Sequence, residues 1–479
     1  MLVLKLVSLA LVLAVANQAN GLKWQKDVPI LVKTLKDLQR GPPKQTLKHR
    51  ATYAAKWITQ PLDHFDESNK ATYKMRYLVN DEFQTEGSPI FIFLGGEWEA
   101  QPSMISAGHW YDMAKEHKGL LIYTEHRYYG ESVPTDTMST ENLKYLHVKQ
   151  ALADVANFIK TYKSENSQLT NSKVLLSGGS YSATMVVWFK RLYPDLVDGG
   201  WASSAPLLAK VDFSEYKEVV GRAFKELGGQ KCYDHIQKGI SDLEQMFASN
   251  RVAEARAMLR LCNNFDHNND LDMWSLFGGI SNIFSGVAQY QSSGEIPYYC
   301  DFLLSFDDAA SAIANFAYWA WENPTCIDAR YESTVDYYLW GIDNFDASRP
   351  WYYQTCNEFG WYQSSNSRNQ PFGSTFPATL YIELCKDVFS SKYANSLIAS
   401  NVAQTNEDFG GMNPEVENVY MTHGGLDPWN PIGHGVAEGA TVISGASHCA
   451  DFGSISSTDS QEMRASKERI AELVRKWLA

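Results

Sequence analysis

Short apolar runs of strand length alternate with segments of helical periodicity over much of this 479-residue chain. Ile90–Leu94 is a continuous apolar run, and such runs are typical of strands that are buried on both faces of a sheet. Leu120–Thr124 is a second candidate for a buried strand, and residues 146–162 follow it with apolar residues at helical spacing. This order of strand, helix and strand predicts a parallel, helix-flanked sheet and therefore an α/β fold.

The alternation is interrupted once, by a long segment of different character. Residues 207–405 are mainly helical in pattern and rich in aromatic side chains, and strand patterns resume only after residue 415. The simplest interpretation is an α/β core formed by residues 51–206 and 406–479, with residues 207–405 inserted in the sheet as a helical cap. Further strands are predicted at 73–79, 174–176, 200–203, 419–422 and 440–443, and further helices at 109–117, 183–192 and about 461–478.

Six of the seven cysteines lie in the predicted cap, at positions 232, 262, 300, 326, 356 and 385. Their spacings contain no C-x-x-C pair, so a zinc ribbon is not expected, and no other metal or cofactor is predicted. Because the N-terminal residues predict an exported chain, these widely spread cysteines predict disulfides, here three. The sequence does not choose among the many pairings that six cysteines allow. Cys449, alone near the C-terminus, is the candidate for the remaining thiol.

The N-terminal region carries two distinct signals. Residues 1–19 contain the apolar run 6–16, which ends in an A-x-A pattern and predicts a signal peptide and export through the secretory pathway. Residues 20–50 hold eight Lys and Arg residues against two Asp residues, and this basic segment is either a solvated N-terminal extension or a removable pro-segment. No later stretch is long and apolar enough to cross a membrane, so a secreted or a lysosomal or endosomal protein is expected.

The overall composition narrows the classes of partner. Hydrophobic residues make up 44% and charged residues 20% of the chain, which excludes an intrinsically disordered protein. The formal net charge is −13, whereas nucleic acids and anionic membranes require basic surfaces on the proteins that bind them. Neither is therefore expected as a partner.

A candidate nucleophile follows the strand predicted at 174–176. The sequence around Ser180 passes from strand through a tight turn to helix, which is typical of a nucleophile elbow that raises a serine hydroxyl above the sheet. Gly178 and Ser182 supply the small residues that the crowded bend requires on either side, although Ser182 stands where the usual pattern has glycine. Glycine-rich turns of this kind also occur without a catalytic role, so Ser180 needs partners.

Such partners follow two later strands, in the order that this fold uses. A serine hydroxyl becomes nucleophilic when an imidazole takes its proton and a carboxylate orients that imidazole. Asp427 comes just after the strand predicted at 419–422, and His448 comes just after the one at 440–443. His423 is a weaker candidate for the base, because it precedes Asp427 and would invert the order Ser, Asp, His.

The loop after Ile90–Leu94 provides the predicted oxyanion hole. A backbone N–H of Gly96 or Glu97, together with the N–H of Tyr181, could hold the oxyanion of a tetrahedral intermediate. Because a carboxylate beside an oxyanion would be harmful, the Glu97 side chain is expected to point away, toward Arg127 or toward a substrate amine.

These motifs resemble a known family, the prolylcarboxypeptidase and lysosomal dipeptidyl peptidase group of serine peptidases, and most closely its thymus-specific serine protease branch. The matching blocks are FLGGE at 93–97, EHRYYG at 125–130, GGSY at 178–181, ASSAP at 202–206, WYYQTCNEFG at 351–360 and LDPW at 426–429. The resemblance implies an α/β-hydrolase core under a helical cap, hydrolysis of peptides near a terminus, often beside proline, and a homodimer. It also implies that Ser180 is the nucleophile, Asp427 the orienting acid and His448 the base, and that Trp429 lines the pocket for the residue before the cleaved bond.

Two departures from the family pattern bear on specificity and chemistry. Thr184 stands where some members have a bulkier apolar pocket residue, which argues against a strict preference for proline. Cys449 directly follows His448, where it is either a packed thiol or a site of oxidative sensitivity.

The predicted function is an exported serine exopeptidase of the dipeptidyl-peptidase or prolyl-carboxypeptidase type, acting through an acyl-enzyme on Ser180. The alternatives are an esterase or lipase on the same fold and a binding protein that has lost its chemistry.

Overall fold

The computed structural model describes residues 28–44, 53, 55–322 and 324–479. The predicted signal peptide at 1–19 lies outside the described residues, as do residues 20–27 and 45–50 of the predicted basic segment. The strands are β1 (Ala55–Pro61), β2 (Thr72–Asn80), β3 (Ile90–Leu94), β4 (Leu120–Thr124), β5 (Val174–Gly179), β6 (Gly199–Ser203), β7 (Lys210–Asp212), β8 (Gly360–Tyr362), β9 (Val419–Gly424) and β10 (Thr441–Ile443). The α-helices are α1 (Ile30–Leu38), α2 (His109–Glu116), α3 (Val148–Glu165), α4 (Tyr181–Leu192), α5 (Glu215–Gly228), α6 (Gln230–Phe247), α7 (Val252–Met258), α8 (Asp270–Tyr290), α9 (Glu295–Leu304), α10 (Ala309–Ala320), α11 (Tyr331–Asn344), α12 (Ser348–Gln354), α13 (Ala378–Val388), α14 (Asn395–Phe409) and α15 (Gln461–Leu478).

The main sheet has the strand order of an α/β-hydrolase core. Among the described residues, its strands lie in the order β1-β2-β4-β3-β5-β6-β9-β10. β2 pairs antiparallel with both β1 and β4, and the remaining neighbours pair parallel. The parallel sheet predicted from the alternation is confirmed, with an antiparallel edge formed by β1 and β2.

The central strands are buried on both faces, because helices pack on each side of the sheet. Ile90, Ile92 and Leu94 of β3 belong to one apolar cluster, which includes residues of α3 and α4. Phe91 and Phe93 of the same strand belong to a second cluster, which includes residues of α2 and α15. Alternate side chains of a strand point to opposite faces, so a strand between two helical layers is apolar throughout.

A largely helical cap interrupts the sheet between β6 and β9, and disulfides join its parts. It contains α5 to α14 and the short parallel pair β7–β8. In the described chain the bonded pairs are Cys232–Cys300, Cys262–Cys326 and Cys356–Cys385, and Cys449 is a buried free thiol. The predicted number of disulfides, their place in the cap and the remaining thiol are confirmed. The division of the chain into domains at 206/207 and 405/406 stays a prediction.

The basic N-terminal segment contains a helix that is built into the fold. Ile30, Leu31 and Val32 of α1 are at most 1% exposed, and α1 packs along α8. Gly279 of α8 permits the close approach, because a Cβ there would lie 2.5 Å from Ile30 Cγ1. A solvated extension is therefore wrong for residues 30–38, since their apolar face is covered; removal of the segment during maturation stays a prediction. None of the helices in the described part of the chain is long and apolar enough to span a bilayer.

Candidate active site

Ser180 occupies the sharp turn between β5 and α4. Its backbone has a φ of 58° and a ψ of −132°, a region that a residue with a side chain adopts only when its surroundings hold it there. The bend leaves no space for a side chain at Gly178, where a Cβ would collide with the Ser182 carbonyl group. The Ser180 N–H donates to the Ser203 carbonyl at the end of β6 at 3.0 Å, which ties the turn to the sheet.

Ser182, at the position where glycine is usual, closes this turn with its side chain. Its hydroxyl donates to the Gly179 carbonyl at 2.9 Å and accepts a hydrogen bond from the Gly179 N–H at 3.0 Å. Ser182 therefore stabilises the bend that a glycine would only permit.

Asp427 and His448 form a buried pair on the loops that follow β9 and β10. The Nδ1 atom of His448 lies 2.9 Å from each carboxylate oxygen of Asp427. The Trp429 N–H donates to Asp427 Oδ1 at 2.9 Å, and the His448 N–H donates to the Gln289 carbonyl at 3.0 Å. Both members of the pair are thus held by backbone hydrogen bonds as well as by each other.

Each member of this pair stabilises the charged form of the other. Burial alone would raise the pKa of Asp427, but the neighbouring His448 helps to hold that pKa well below its ordinary value. Burial alone would lower the pKa of His448, but the Asp427 carboxylate raises it well above its ordinary value. His448 Nε2 is buried and has no hydrogen-bond partner in the described part of the chain, so this nitrogen is available for proton exchange.

The loop that carries His448 packs against the loop that carries Ser180. Cys449 Sγ lies 3.1 Å from the position that a Cβ of Gly179 would take, and the Cys449 N–H donates to Ser204 Oγ at 2.9 Å. The strands β5, β6, β9 and β10 are successive neighbours, so the turns at their carboxyl ends lie along one edge of the sheet. The fold thereby brings Ser180, Asp427 and His448 to the same region.

His423, the competing candidate for the base, has a weaker relation to Asp427. Its Nδ1 lies 3.7 Å from Asp427 Oδ2, and neither ring nitrogen makes a hydrogen bond to the described residues. His448, at 2.9 Å, is the better-placed partner of the carboxylate. No group of three or more His, Cys, Asp or Glu side chains within the residues described is arranged to hold a metal ion.

A cavity lies beside Ser180, between the core and the cap. Core residues in its wall include Glu97, Ser180 and Trp429. The cap contributes a largely aromatic surface that includes Trp351 and Trp361. An apolar cavity with few polar groups is typical of a binding site for a small ligand.

The N-terminal segment also reaches this cavity, a role that the sequence reasoning missed. Leu35, Leu38 and Gln39 are part of the cavity wall. The Gln289 amide and the Tyr290 hydroxyl both donate to the Leu38 carbonyl, at 3.1 and 3.0 Å, and so fix the end of α1. The apolar residues at 31, 35 and 38 repeat with helical spacing, which is the sequence signal that could have identified this helix.

The predicted oxyanion donors lie on two elements that meet beside Ser180. Tyr181 is the first residue of α4, a position whose N–H has no acceptor within the helix. Gly96 and Glu97 follow β3, which pairs with β5 immediately before the turn at Ser180. Glu97 and Tyr181 are both part of the cavity wall.

The Glu97 side chain contributes to the cavity wall and does not contact Arg127. Glu97 is 5% exposed, and its Oε2 atom has no hydrogen-bond partner among the residues described. Arg127 binds Asp154 instead, through Nε at 2.6 Å and Nη2 at 2.8 Å. The expected pairing of Glu97 with Arg127 is therefore wrong, because a carboxylate on α3 already neutralises this arginine.

The two predicted pocket residues have different positions. The Trp429 ring lies in the cavity wall, with its centroid 6.4 Å from that of His448 and 5.6 Å from that of Trp361. Thr184 is fully buried outside the wall, and its hydroxyl donates to the Pro206 carbonyl at 2.8 Å. A role for either residue in substrate binding stays a prediction.

Known proteins show where this chain belongs. Residues 60–470 match the family model described as serine carboxypeptidase S28. Over 450 residues the chain is 30% identical to the thymus-specific serine protease of Mus musculus, a match that covers 88% of this chain and 87% of that protein. It is 27% identical over 473 residues to the lysosomal Pro-X carboxypeptidase of Bos taurus, covering 92% of this chain and 90% of the relative. Among solved structures, the proline iminopeptidase of Mycobacterium smegmatis matches 88% of this chain and 98% of its own, with 11% identity and a TM-score of 0.34. The chain therefore belongs to the serine carboxypeptidase S28 family of serine hydrolases.

Proposed function

We propose that this protein is a serine exopeptidase, of the dipeptidyl-peptidase or prolyl-carboxypeptidase type, which hydrolyses short peptides through an acyl-enzyme on Ser180. The observation that carries the proposal is the buried Asp427–His448 pair, whose Nε2 is unpartnered among the described residues, at the sheet edge that also holds Ser180 in a strained turn. Nucleophile, base and orienting acid in this arrangement are the working parts of a serine peptidase.

In the proposed reaction, His448 in its neutral form takes the proton of Ser180 Oγ through Nε2 while this oxygen attacks the carbonyl carbon of the peptide bond. Asp427 stabilises the imidazolium that results, and backbone N–H groups at Tyr181 and in the 96–97 loop stabilise the oxyanion. The imidazolium then gives its proton to the leaving amine, and the acyl-enzyme remains. Water, deprotonated by His448, attacks the acyl carbonyl, releases the acyl product and restores the Ser180 hydroxyl.

The cavity supports cleavage near a chain end. Its walls combine aromatic rings of the cap, including Trp351 and Trp361, with Leu38 of the N-terminal segment and Trp429 of the core. A small site that is enclosed between core and cap favours the end of a flexible peptide over a folded protein. The bovine relative is named as a Pro-X carboxypeptidase, which supports the inclusion of prolyl peptides among the substrates to be tested.

A fluorophosphonate probe tests the nucleophile directly. We expect the probe to label the wild-type protein and not Ser180→Ala, because the probe reacts with an activated serine and forms a stable ester there. Ser177→Ala is the matched control, since its hydroxyl lies on β5 three residues before Ser180 and has no hydrogen-bond partner among the described residues. Labelling that persists in Ser180→Ala, or its absence from the wild type, would contradict the proposal. Hydrolysis of acyl esters but of no peptide would select the esterase alternative.

The proposal includes action in the secretory pathway, either outside the cell or in lysosomes and endosomes. Disulfides within the cap support it, because such bonds persist in oxidising compartments. The bovine relative carries the word lysosomal in its name. N-terminal sequencing of protein recovered from medium and from lysosomes tests removal of residues 1–19. The same measurement shows whether α1 is retained in the active enzyme.

A further inference from the structure

Glu97 is a buried carboxyl group without a counter-ion in the described structure. It lines the cavity that also contains Ser180, and its Oε2 atom has no hydrogen-bond partner there. An ionised carboxylate in such surroundings is strongly destabilised unless a cation or several donors accompany it. Burial raises the pKa of Glu97 to about 8, because the loss of water outweighs the opposing effects of its own backbone N–H and of the nearby His448.

Polar groups close to Glu97 are engaged with other partners. His448 binds the Asp427 carboxylate through Nδ1. The Tyr129 hydroxyl donates to Gln354 Oε1 at 2.6 Å, and the Tyr181 hydroxyl accepts from Gln354 Nε2 at 3.0 Å. His448 lowers the pKa of Glu97 less than burial raises it, and Glu97 contributes to the raised pKa of both tyrosines, so none of the three is a counter-ion bound to Glu97.

Basic side chains of the surrounding structure are likewise paired. Arg76 binds Glu125 at 2.6 Å. Arg40, which directly follows the wall residue Gln39 in the chain, binds Asp37 at 2.9 Å. Among the described residues, the cavity wall contains no lysine, arginine or histidine, and Glu97 is its acidic member. The wall therefore offers a charged ligand an acidic group and no basic one.

We propose that Glu97 binds the free α-ammonium group of the substrate, so that the enzyme acts on short peptides from their N-terminal end. This inference rests on the proposed role of Ser180. A terminal ammonium group supplies the positive charge that an ionised Glu97 requires, whereas a terminal carboxylate would bring a negative charge to a wall that contains no lysine, arginine or histidine among the described residues. When the ammonium binds, the Glu97 carboxyl group releases its proton to solvent, and the ammonium keeps its own protons and donates them as hydrogen bonds.

The position of Glu97 in the chain limits the length of the released product. Glu97 directly follows Gly96, so the carboxyl that binds the amine adjoins the backbone donors predicted to bind the oxyanion. Both contacts form together only when the amine lies close in sequence to the cleaved carbonyl. We expect the products to be single amino acids or dipeptides from the N-terminus.

Three versions of one short peptide test the proposal on the wild-type enzyme: unmodified, N-acetylated and C-terminally amidated. The unmodified and amidated peptides should be cleaved with similar kcat/KM, and mass spectrometry should identify N-terminal fragments. The acetylated peptide should lose about 100-fold in kcat/KM, the order of loss that follows removal of one partner from a buried charge pair.

Two glutamates of the same loop provide a matched pair of variants. Glu97→Gln removes the charge but keeps the size of the side chain, and kcat/KM for the unmodified peptide should fall about 100-fold, mainly through KM. The preference for the unmodified over the acetylated peptide should disappear in this variant. Glu99→Gln, whose side chain is 52% exposed, should keep both the rate and the preference. If Glu97→Gln does not fold, the three peptides on the wild-type enzyme still decide the question.

The outcomes separate this inference from the proposed function. An enzyme that the fluorophosphonate labels at Ser180 but that cleaves the acetylated peptide equally well overturns the role of Glu97 alone. So does release of C-terminal residues, or loss of cleavage on amidation, since either shows recognition of the terminal carboxylate. Failure of labelling in the wild type overturns the serine peptidase itself.

Discussion

Two of the buried carboxyl groups in this molecule, on α3 and in the cavity wall, have opposite surroundings. Asp154 on α3 accepts hydrogen bonds from Arg127, His64 and Tyr73, with every donor within 2.8 Å. Glu97 lies in the cavity wall with an oxygen that no donor in the described residues reaches. A fully satisfied buried charge stabilises the fold, whereas an unsatisfied one beside a nucleophile indicates a place for a ligand.

The pKa values of the two groups move in opposite directions. Burial alone would raise the pKa of Asp154, but Arg127 lowers it below its ordinary value. Glu97 has no such partner, so burial raises its pKa to about 8. Loss of water raises the pKa of both carboxyl groups, but only at Asp154 does a bound cation outweigh this effect.

The largest expected effect separates a catalytic carboxylate from a structural one. Asp427→Asn should lower kcat/KM about 10⁴-fold, because the neutral amide neither stabilises the imidazolium of His448 nor fixes its tautomer. The loss of stability should be smaller than that of Asp154→Asn, because His448, unlike Arg127, can release its proton when the carboxylate is absent. Steady-state kinetics and thermal unfolding of the same preparation check both. An active variant of low stability would mean that Asp427 belongs with Asp154 and not with the active site.

Asp154→Asn should show the reverse pattern. The change leaves Arg127 buried without its counter-charge, and we expect the free energy of unfolding to fall by about 3–5 kcal/mol. Urea-induced unfolding measures this loss, and kcat/KM of the folded enzyme should stay near the wild-type value. Asp242→Asn, which removes an exposed pair with Lys238, is the control and should change stability by at most about 0.5 kcal/mol. A small loss for Asp154→Asn would show that the cluster is not a stabilising network.

The pH dependence of stability should have opposite signs at the two sites. In the folded enzyme Glu97 keeps its proton up to about pH 8, whereas in the unfolded chain it loses the proton above its ordinary value of 4.5. Folding is therefore penalised increasingly as pH rises between these values, by about 3 kcal/mol at pH 7, and Glu97→Gln should gain stability relative to wild type over this range.

Asp154, with its lowered pKa, should behave the other way. Its stabilising effect is present above the pKa of an unfolded aspartate, about 3.9, and is lost as pH falls through the lower folded value. The difference in the free energy of unfolding between wild type and Asp154→Asn should accordingly decrease only at acidic pH. Unfolding free energies of both variants from pH 3 to pH 8 measure these trends, and parallel curves would contradict the assigned protonation states.

The smallest effect concerns Cys449, a third buried titratable group. Burial raises the pKa of its thiol, which disfavours the reactive thiolate. Iodoacetamide should therefore modify Cys449 only after unfolding, and Cys449→Ala should leave kcat/KM near wild type with a loss of about 1 kcal/mol in stability. Rapid inactivation of the native enzyme by this reagent would instead support oxidative sensitivity at the active site.

The elements that carry the catalytic candidates were readable from sequence because their patterns are local. β3 and β4 appear as predicted, since strands buried on both faces have continuous apolar runs. The strand predicted at 174–176 ends before β5 does, because β5 continues to Gly179 and glycine is depleted in strands. β7 and β8 were missed because three residues are too few to show a period.

By itself, the sequence determined the α/β alternation, the number of disulfides and the order Ser180, Asp427, His448. These follow from spacing, turn chemistry and residue type, which act over a few neighbours. The tertiary structure alone decided which cysteines pair, that Arg127 is bound by Asp154 and that α1 forms part of the cavity wall. Each depends on contacts between residues far apart in the chain, such as Gln289 and Leu38, which are separated by 251 positions. Burial and pairing of charge are properties of the folded neighbourhood, so the unpaired state of Glu97 could be seen only there.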